Sequence, residues 1–236
     1  MMRWSRQILF GDVDAMFASA AVVKDPSLAG KPVAVGGPPP RGIIAAASYA
    51  VRPFGVHSAM PTAKALQLCP NLILLPPDRP LYRQLHDAMQ AVTDQLFPLT
   101  EWSSIDEFYA DTTQLQTRHP DPLSLGQLVK DALYEATGLR CTIGVATGKT
   151  VAKIAADSHK PDGLVTVPPG TEEATQGSLK KRTVMRIMFE CGLVTEAFGF
   201  SVGHHRLVVD PPRQFSNPVE SGAEDMAQRS IPALVQ

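Results

Sequence analysis

The sequence predicts a mixed α/β (α+β) fold of the ferredoxin-like, split β-α-β kind with a smaller α/β segment inserted into it. Three observations carry that reading. Strand-like apolar runs at residues 7–14, 101–111 and 142–146 alternate with longer helical patterns. The pieces at 7–22 and 81–167 together give strand, helix, strand pair, helix, strand, the element order of a split β-α-β unit. The stretch between them, 23–77, carries short strands and Gly/Pro turns of its own, and Pro76-Pro77-Asp78-Arg79-Pro80 marks the return to the first unit.

Taken in order, the first strand ends in Asp12 and Asp14, and acids at a strand's end can face a solvent-filled cleft. A helix of small residues follows over about 15–23. Strands at 32–36 and 43–48 flank Gly36-Gly37-Pro38-Pro39-Pro40-Arg41-Gly42, a stretch suited to a hairpin loop, and 62–68 reads as a short helix. Residues 81–96 set Leu85, Met89, Val92 and Leu96 at helical spacing. Residues 101–111 read as two strand arms around an acidic pair, and 123–136 as an amphipathic helix with Gly138 just past its end. A strand at 142–146, a helix at 149–158 and a strand at 164–167 complete the periodic part. From about Thr171 the chain turns to Gly, Ser and charge, then to a Pro-, Gln- and Ser-rich end, and is expected to be poorly ordered.

Composition narrows the function classes. The 236 residues suffice for a sizeable core. A chain 44% hydrophobic and 19% charged is ordinary for a soluble protein. No apolar run approaches the ~18–20 residues of a membrane span. The N-terminus is basic, but the apolar stretch after it is broken by Asp12 and Asp14 and lacks a small-residue cleavage site, so a cytoplasmic protein is expected. Cys69, Cys141 and Cys191 are odd in number and far apart, which suits reduced core residues rather than a disulfide framework or zinc site. A net charge of −1 lacks the Lys/Arg excess of an autonomous nucleic-acid binder.

Chemistry concentrates at Ser104-Ile105-Asp106-Glu107. Adjacent carboxylates among apolar strand residues repel one another and resist burial, so a fold that keeps them is expected to hold cations between them. Magnesium takes hard oxygen ligands, and two such ions about 3.5–4 Å apart can clamp both oxygens of an in-line phosphoryl displacement. Asp12, Asp106 and Glu107 are the candidate ligands, with the Val13 main-chain carbonyl as a fourth oxygen. The same acids also suit turns and a solvated hairpin, and on the residues alone both readings stand. Tyr49 and Arg52 couple a phenol to a planar guanidinium that matches phosphate oxygens. Lys160, at a helix end, suits neutralisation of a leaving pyrophosphate or, equally, compensation of the helix dipole. The run from Gly144 to Thr150 is not a Walker A motif, because three residues rather than four separate its glycines; Gly148-Lys149-Thr150 reads instead as the turn opening the helix that carries Lys153.

In order and spacing, Asp12 to Phe17, Ser48-Tyr49 with Arg52, Gly55-Val56 with Met60-Pro61, Ser104 to Glu107, and Gly144 through Lys153 to Gly163 resemble the Y-family translesion DNA polymerases of the DinB/UmuC-like group, over residues 7 to about 168. The resemblance implies a palm at 5–22 and 78–168 and small fingers at 23–77. It further implies two Mg²⁺ ions on Asp12, Val13, Asp106 and Glu107, catalysis by the three acids, and nucleotide contacts from Met16, Phe17, Tyr49, Arg52 and Lys160, with Phe17 under the sugar where a ribose 2′-hydroxyl would clash. Bland core packing is the alternative for Phe17. Primer–template DNA and deoxynucleoside triphosphates are the implied partners, with a sliding clamp for which the terminal residues 230–236 supply no convincing peptide.

Three positions depart from the family pattern: Ala46 for a Ser or Thr hydroxyl, Ala21 for an acid, and Phe108 for a small residue, the last raising a steric question. The loss of one hydroxyl at Ala46 costs about 0.5–1.5 kcal/mol, which weakens nucleotide binding without abolishing catalysis. Residues 169–236 read as a divergent thumb remnant or disordered tail without a little finger, as after a frameshift or truncation; translating the downstream nucleotides in the other two frames tests that. The competing expectations are an inactive polymerase-like accessory subunit and a decayed remnant that binds DNA weakly.

Overall fold

The structure, a computed structural model, describes residues 3–172. Cys191 and nearly all of the expected tail lie outside the described residues. The central strand, β1 (Ile8–Val13), is buried along its whole length, as an unbroken apolar run covered on both faces must be. It pairs antiparallel with β6 (Glu107–Asp111) on one side and β7 (Cys141–Ala146) on the other. With β5 (Thr100–Trp102) and β8 (Leu164–Thr166) the order is β5-β6-β1-β7-β8, and its first four strands are the ferredoxin-like arrangement the sequence predicts.

Alternation along β1 sends neighbouring side chains to opposite faces. Leu9 and Val13 join Met89, Val129, Leu133 and Ile143 beneath α3 (Arg79–Leu96) and α4 (Pro122–Thr137). Phe10 joins Ala146, Ala152, Ala155 and Ala156 under α5 (Lys149–Ser158). Helix α5 can lie that close because a Cβ at Gly144 would strike the Ala152 carbonyl. Asp12, with the parity of Phe10, therefore emerges on the α5 side.

Helix α3 starts two residues before its expected position because Asp78 caps it, accepting from Leu81 N at 3.2 Å, and Pro80 is tolerated in a first turn. Helix α4 is capped by Asp121 and stopped by Gly138, whose φ of 70° suits glycine.

Between Lys24 and Asp78 the chain builds a second sheet of order β3-β2-β4: β2 (Val33–Gly36), β3 (Ile44–Ala47) and β4 (Ile73–Leu75). Its core of Ala34, Ile44, Val51, Ala65 and Leu72 packs α2 (Thr62–Leu68), while α1 (Met16–Lys24) leads into it. Strand β4 and a 3-10 segment at Tyr49–Phe54 have no counterpart in the sequence expectation. Lys24 Nζ and Asp78 Oδ2 pair at 2.7 Å across the two ends of this insertion.

Cys69 and Cys141 are free and buried, and burial pushes the Cys141 thiol up to about 12. Among the described residues no helix is long and apolar enough to cross a membrane.

Candidate active site

The β1–β6 register sets Asp12 opposite Glu107, so two carboxylates remote in sequence emerge side by side. Asp106 sits at the preceding turn. Its main-chain carbonyl accepts from Val13 N at 3.0 Å, and its carboxylate accepts from Ser104 Oγ at 2.5 Å. His86 of α3 donates from Nδ1 to the Ile105 carbonyl at 3.0 Å, tying the turn to the helix beneath it.

Each strand-borne acid carries a lysine. Lys160 Nζ pairs with Asp12 Oδ2 and, at 3.5 Å, with Asp157 Oδ1; Lys153 Nζ donates to Glu107 Oε1 at 2.6 Å. Lys160 is thus aimed at a carboxylate on β1 rather than at the last carbonyls of α5. Burial pushes the Asp12 carboxyl above its ordinary range, and the charges of Glu107 and Asp106 add to this against the pull of Lys160. Burial disfavours the Lys160 ammonium, yet the charge and hydrogen bond of Asp12 leave it above its ordinary value. The solvated-turn alternative does not describe Asp12 and Asp14, which are 4% and 5% exposed.

A cleft of about 810 Å³ opens in front of this pair, and Met16, Phe17, Ala46, Arg52, Asp106 and Lys160 line it. The Phe17 ring stacks on Tyr82 with centroids 4.2 Å apart. Tyr49 is turned away from the cleft: the Arg52 guanidinium lies 3.6 Å over its ring, and its hydroxyl donates to Asp14 Oδ1 at 3.2 Å. Burial and the Asp14 charge push the Tyr49 phenol up to about 12. Phe108 points to the opposite face, fully buried over Gly11, so it does not crowd the cleft. Lys149 pairs with Glu101 at 2.5 Å, away from the acids.

Sequence reasoning named Asp14 and Lys153 without giving either a role in the site, and it passed over Asp157. Strand parity could have placed Asp14, a polar residue aligned with Asp12 in an otherwise apolar run. The role of Lys153 shows only once α5 is laid across β1.

The impB/mucB/samB family model matches residues 11–157, a span holding the β1 and β6 acids, Arg52 and Lys153. The chain belongs to the impB/mucB/samB family. The resemblance to Y-family polymerases carried by its motifs holds in the comparisons with relatives. DNA polymerase IV of Methanoculleus marisnigri is 44% identical over 173 residues, covering 72% of this chain and 48% of that protein. A solved insertion ternary complex of Dbh DNA polymerase superposes with a TM-score of 0.70 at 30% identity, over 79% of this chain and 58% of the other. A Y-family DNA polymerase chimera of Dbh and Dpo4 gives the same score and identity over 75% and 53%. This impB/mucB/samB chain spans about half the length of the curated relatives it matches.

Proposed function

We propose that the chain carries the palm (5–22 and 78–168) and fingers (23–77) of a DNA-directed DNA polymerase that extends primers in translesion synthesis and repair. What carries the reading is the convergence on one cleft of Lys160, paired with Asp12, and of Asp106, Arg52 and Phe17. The acids are there for metal ions, the cations for a triphosphate, and an aromatic ring for a sugar.

The donor set suits divalent magnesium. Asp12, Asp106 and Glu107 are hard oxygen donors that feel one another's charge, and Lys160 and Lys153 already supply positive charge to two of them. Among the described residues no three His, Cys, Asp or Glu side chains form a ready coordination shell. The acids are turned to Lys160, Lys153 and Ser104 instead, and rotation of those carboxylates with the Val13 carbonyl would hold the ions. Bound there, two Mg²⁺ ions would lower the pKa of a primer 3′-hydroxyl and stabilise charge on the leaving pyrophosphate.

The chain's own side chains do the rest. Arg52 and Lys160 hold the triphosphate, and Lys160 exchanges its Asp12 contact for phosphate oxygen. Phe17, braced by Tyr82, lies under the deoxyribose and leaves no room for a 2′-hydroxyl. The small side chains of Ala45, Ala46 and Ala47 keep the insertion's side of the cleft open, which suits a damaged template. The proposed partners are primer–template DNA and deoxynucleoside triphosphates, and the proposed location is the cytoplasm.

Calorimetric titration with a deoxynucleoside triphosphate and Mg²⁺ tests the site. Saturable binding that Lys160→Ala weakens by about tenfold or more is expected. Folded protein that binds no triphosphate contradicts the proposal.

A further inference from the structure

Asp14 lies one residue beyond the strand end, and three segments meet on its carboxylate. Oδ1 accepts from the Tyr49 hydroxyl at 3.2 Å and from Thr142 Oγ1 at 3.0 Å, while Oδ2 accepts from the Asp162 main-chain N–H at 2.8 Å. The Asp14 amide donates to the Arg140 carbonyl at 2.9 Å, and its own carbonyl accepts from Ser19 Oγ at 2.6 Å, so the residue cannot drift. A carboxylate this buried is tolerated only with its lone pairs filled, and filling them here fixes where the donors stand.

Two of those donors belong to segments that carry the cations of the cleft. Tyr49 forms the floor under the Arg52 guanidinium. Asp162 follows Lys160 by two residues, and its φ of 55° marks a sharp turn there. The far side of that turn is held separately: Lys130 Nζ donates to the carbonyls of Asp162 and Gly163 at 2.5 and 3.1 Å, and Arg140 pairs with Asp162 Oδ2 at 3.2 Å. Those contacts fix the loop to α4 and to the residue just before β7, and none of them reaches the inserted part. Asp14 is where the loop and the second sheet are measured against each other.

We propose that Asp14 is a positioning residue that sets the spacing between Arg52 and Lys160 across the cleft, and so the fit of a nucleoside triphosphate spanning them. The inference rests on the polymerase reading above. Thr142, which also accepts from Gly163 N at 3.2 Å, completes the brace.

The test is steady-state single-nucleotide addition by the full chain on primed DNA, with wild type, Asp14→Asn and Tyr49→Phe compared. Asn keeps the shape but loses the charge: its oxygen stays on the Asp162 N–H, which can only donate, its nitrogen turns to the Tyr49 and Thr142 hydroxyls, which can accept, and every contact falls from charge-assisted to neutral. The KM for the deoxynucleotide is expected to rise about tenfold in Asp14→Asn while kcat and DNA affinity change by less than about threefold. Tyr49→Phe, which removes one donor and leaves the carboxylate intact, is expected to give a smaller rise of the same kind. Hydrogen exchange at the Asp162 amide, followed in free protein, should quicken in Asp14→Asn and not in Tyr49→Phe. An unchanged KM in folded Asp14→Asn, or losses of DNA affinity and KM in equal measure, overturns the proposal; if Asp14→Asn does not fold, an unchanged KM in Tyr49→Phe does so. Wild type that neither binds nor adds nucleotide brings down the polymerase reading itself, a result distinct from an active wild type with an indifferent Asp14→Asn.

Discussion

Gly11 and Phe108 face each other across β1 and β6, and each explains the other. A Cβ on Gly11 would meet the Phe108 ring, which fills the space over the strand and touches Trp102 at 5.0 Å between centroids. Phe108→Ala should cost about 3–5 kcal/mol in denaturant unfolding, the usual cost of an emptied aromatic site. Gly11→Ala should destabilise alone yet cost far less in the Phe108→Ala background, because the clash has gone; strict additivity of the two would contradict the packing. Phe108 is conspicuous in the sequence as a bulky residue in a small position, but Gly11 is not, since their pairing exists only in the register. The acids were legible for a related reason: charge inside an apolar run stands out in any alignment of period two, whereas the lysines that neutralise them come from another element. Cys141 offers a simple check on burial. With its thiol pushed up to about 12, it should resist alkylation at pH 8 until the protein unfolds. Phe17→Ala should raise ribonucleotide incorporation by more than about tenfold relative to deoxynucleotide, and unchanged discrimination would return Phe17 to plain core packing against Tyr82.

At the level of elements, helices were the more legible because their signals are local. Leu85 and Met89 repeat on one face of α3, while the caps Asp78 and Asp121, which set the true starts of α3 and α4, were not read from the sequence. Strand β4 was not legible: three half-buried residues carry no periodicity, and only parallel pairing with β2 makes them a strand. The 3-10 segment at Tyr49–Phe54 was hidden for a similar reason, since its buried Val51 is one residue among polar and aromatic neighbours. The cap of α4 yields a pH prediction. The Ser124 hydroxyl, then the Leu123 and Ser124 amides, hold the Asp121 carboxyl below its ordinary value. A depressed carboxyl stabilises the fold above its unfolded value and loses that contribution as pH falls through the folded one. Asp121→Ala should therefore lower Tm by a constant amount from neutral pH down to about pH 4, and the difference from wild type should shrink below that. A difference independent of pH throughout would show that the charge plays no part in the cap.

At the level of the molecule, the chain assembles two sheets with separate cores and lines one cleft with residues from both: Met16, Phe17, Asp106 and Lys160 from the larger part, Ala46 and Arg52 from the insertion. The fold order was written in the alternation of strand and helix patterns, but the cleft was not, because it depends on how α1, packed on β2 and β3, and the Lys24–Asp78 pair set the insertion beside the larger part. The net charge of −1 suits the proposed reading of a catalytic part with a slight hold on DNA, so activity should be sought at low ionic strength, where phosphate contacts are strongest. The central claim is that these acids catalyse templated nucleotidyl transfer. Its most direct test is to incubate the purified chain at low salt with Mg²⁺, each deoxynucleotide singly and primers set against each template base, beside an Asp106→Ala/Glu107→Ala control. The account predicts addition of the complementary nucleotide above the other three, abolished in the control and by chelation of the metal. Folded protein that adds nothing at high concentration, or that adds equally with the control, would contradict it.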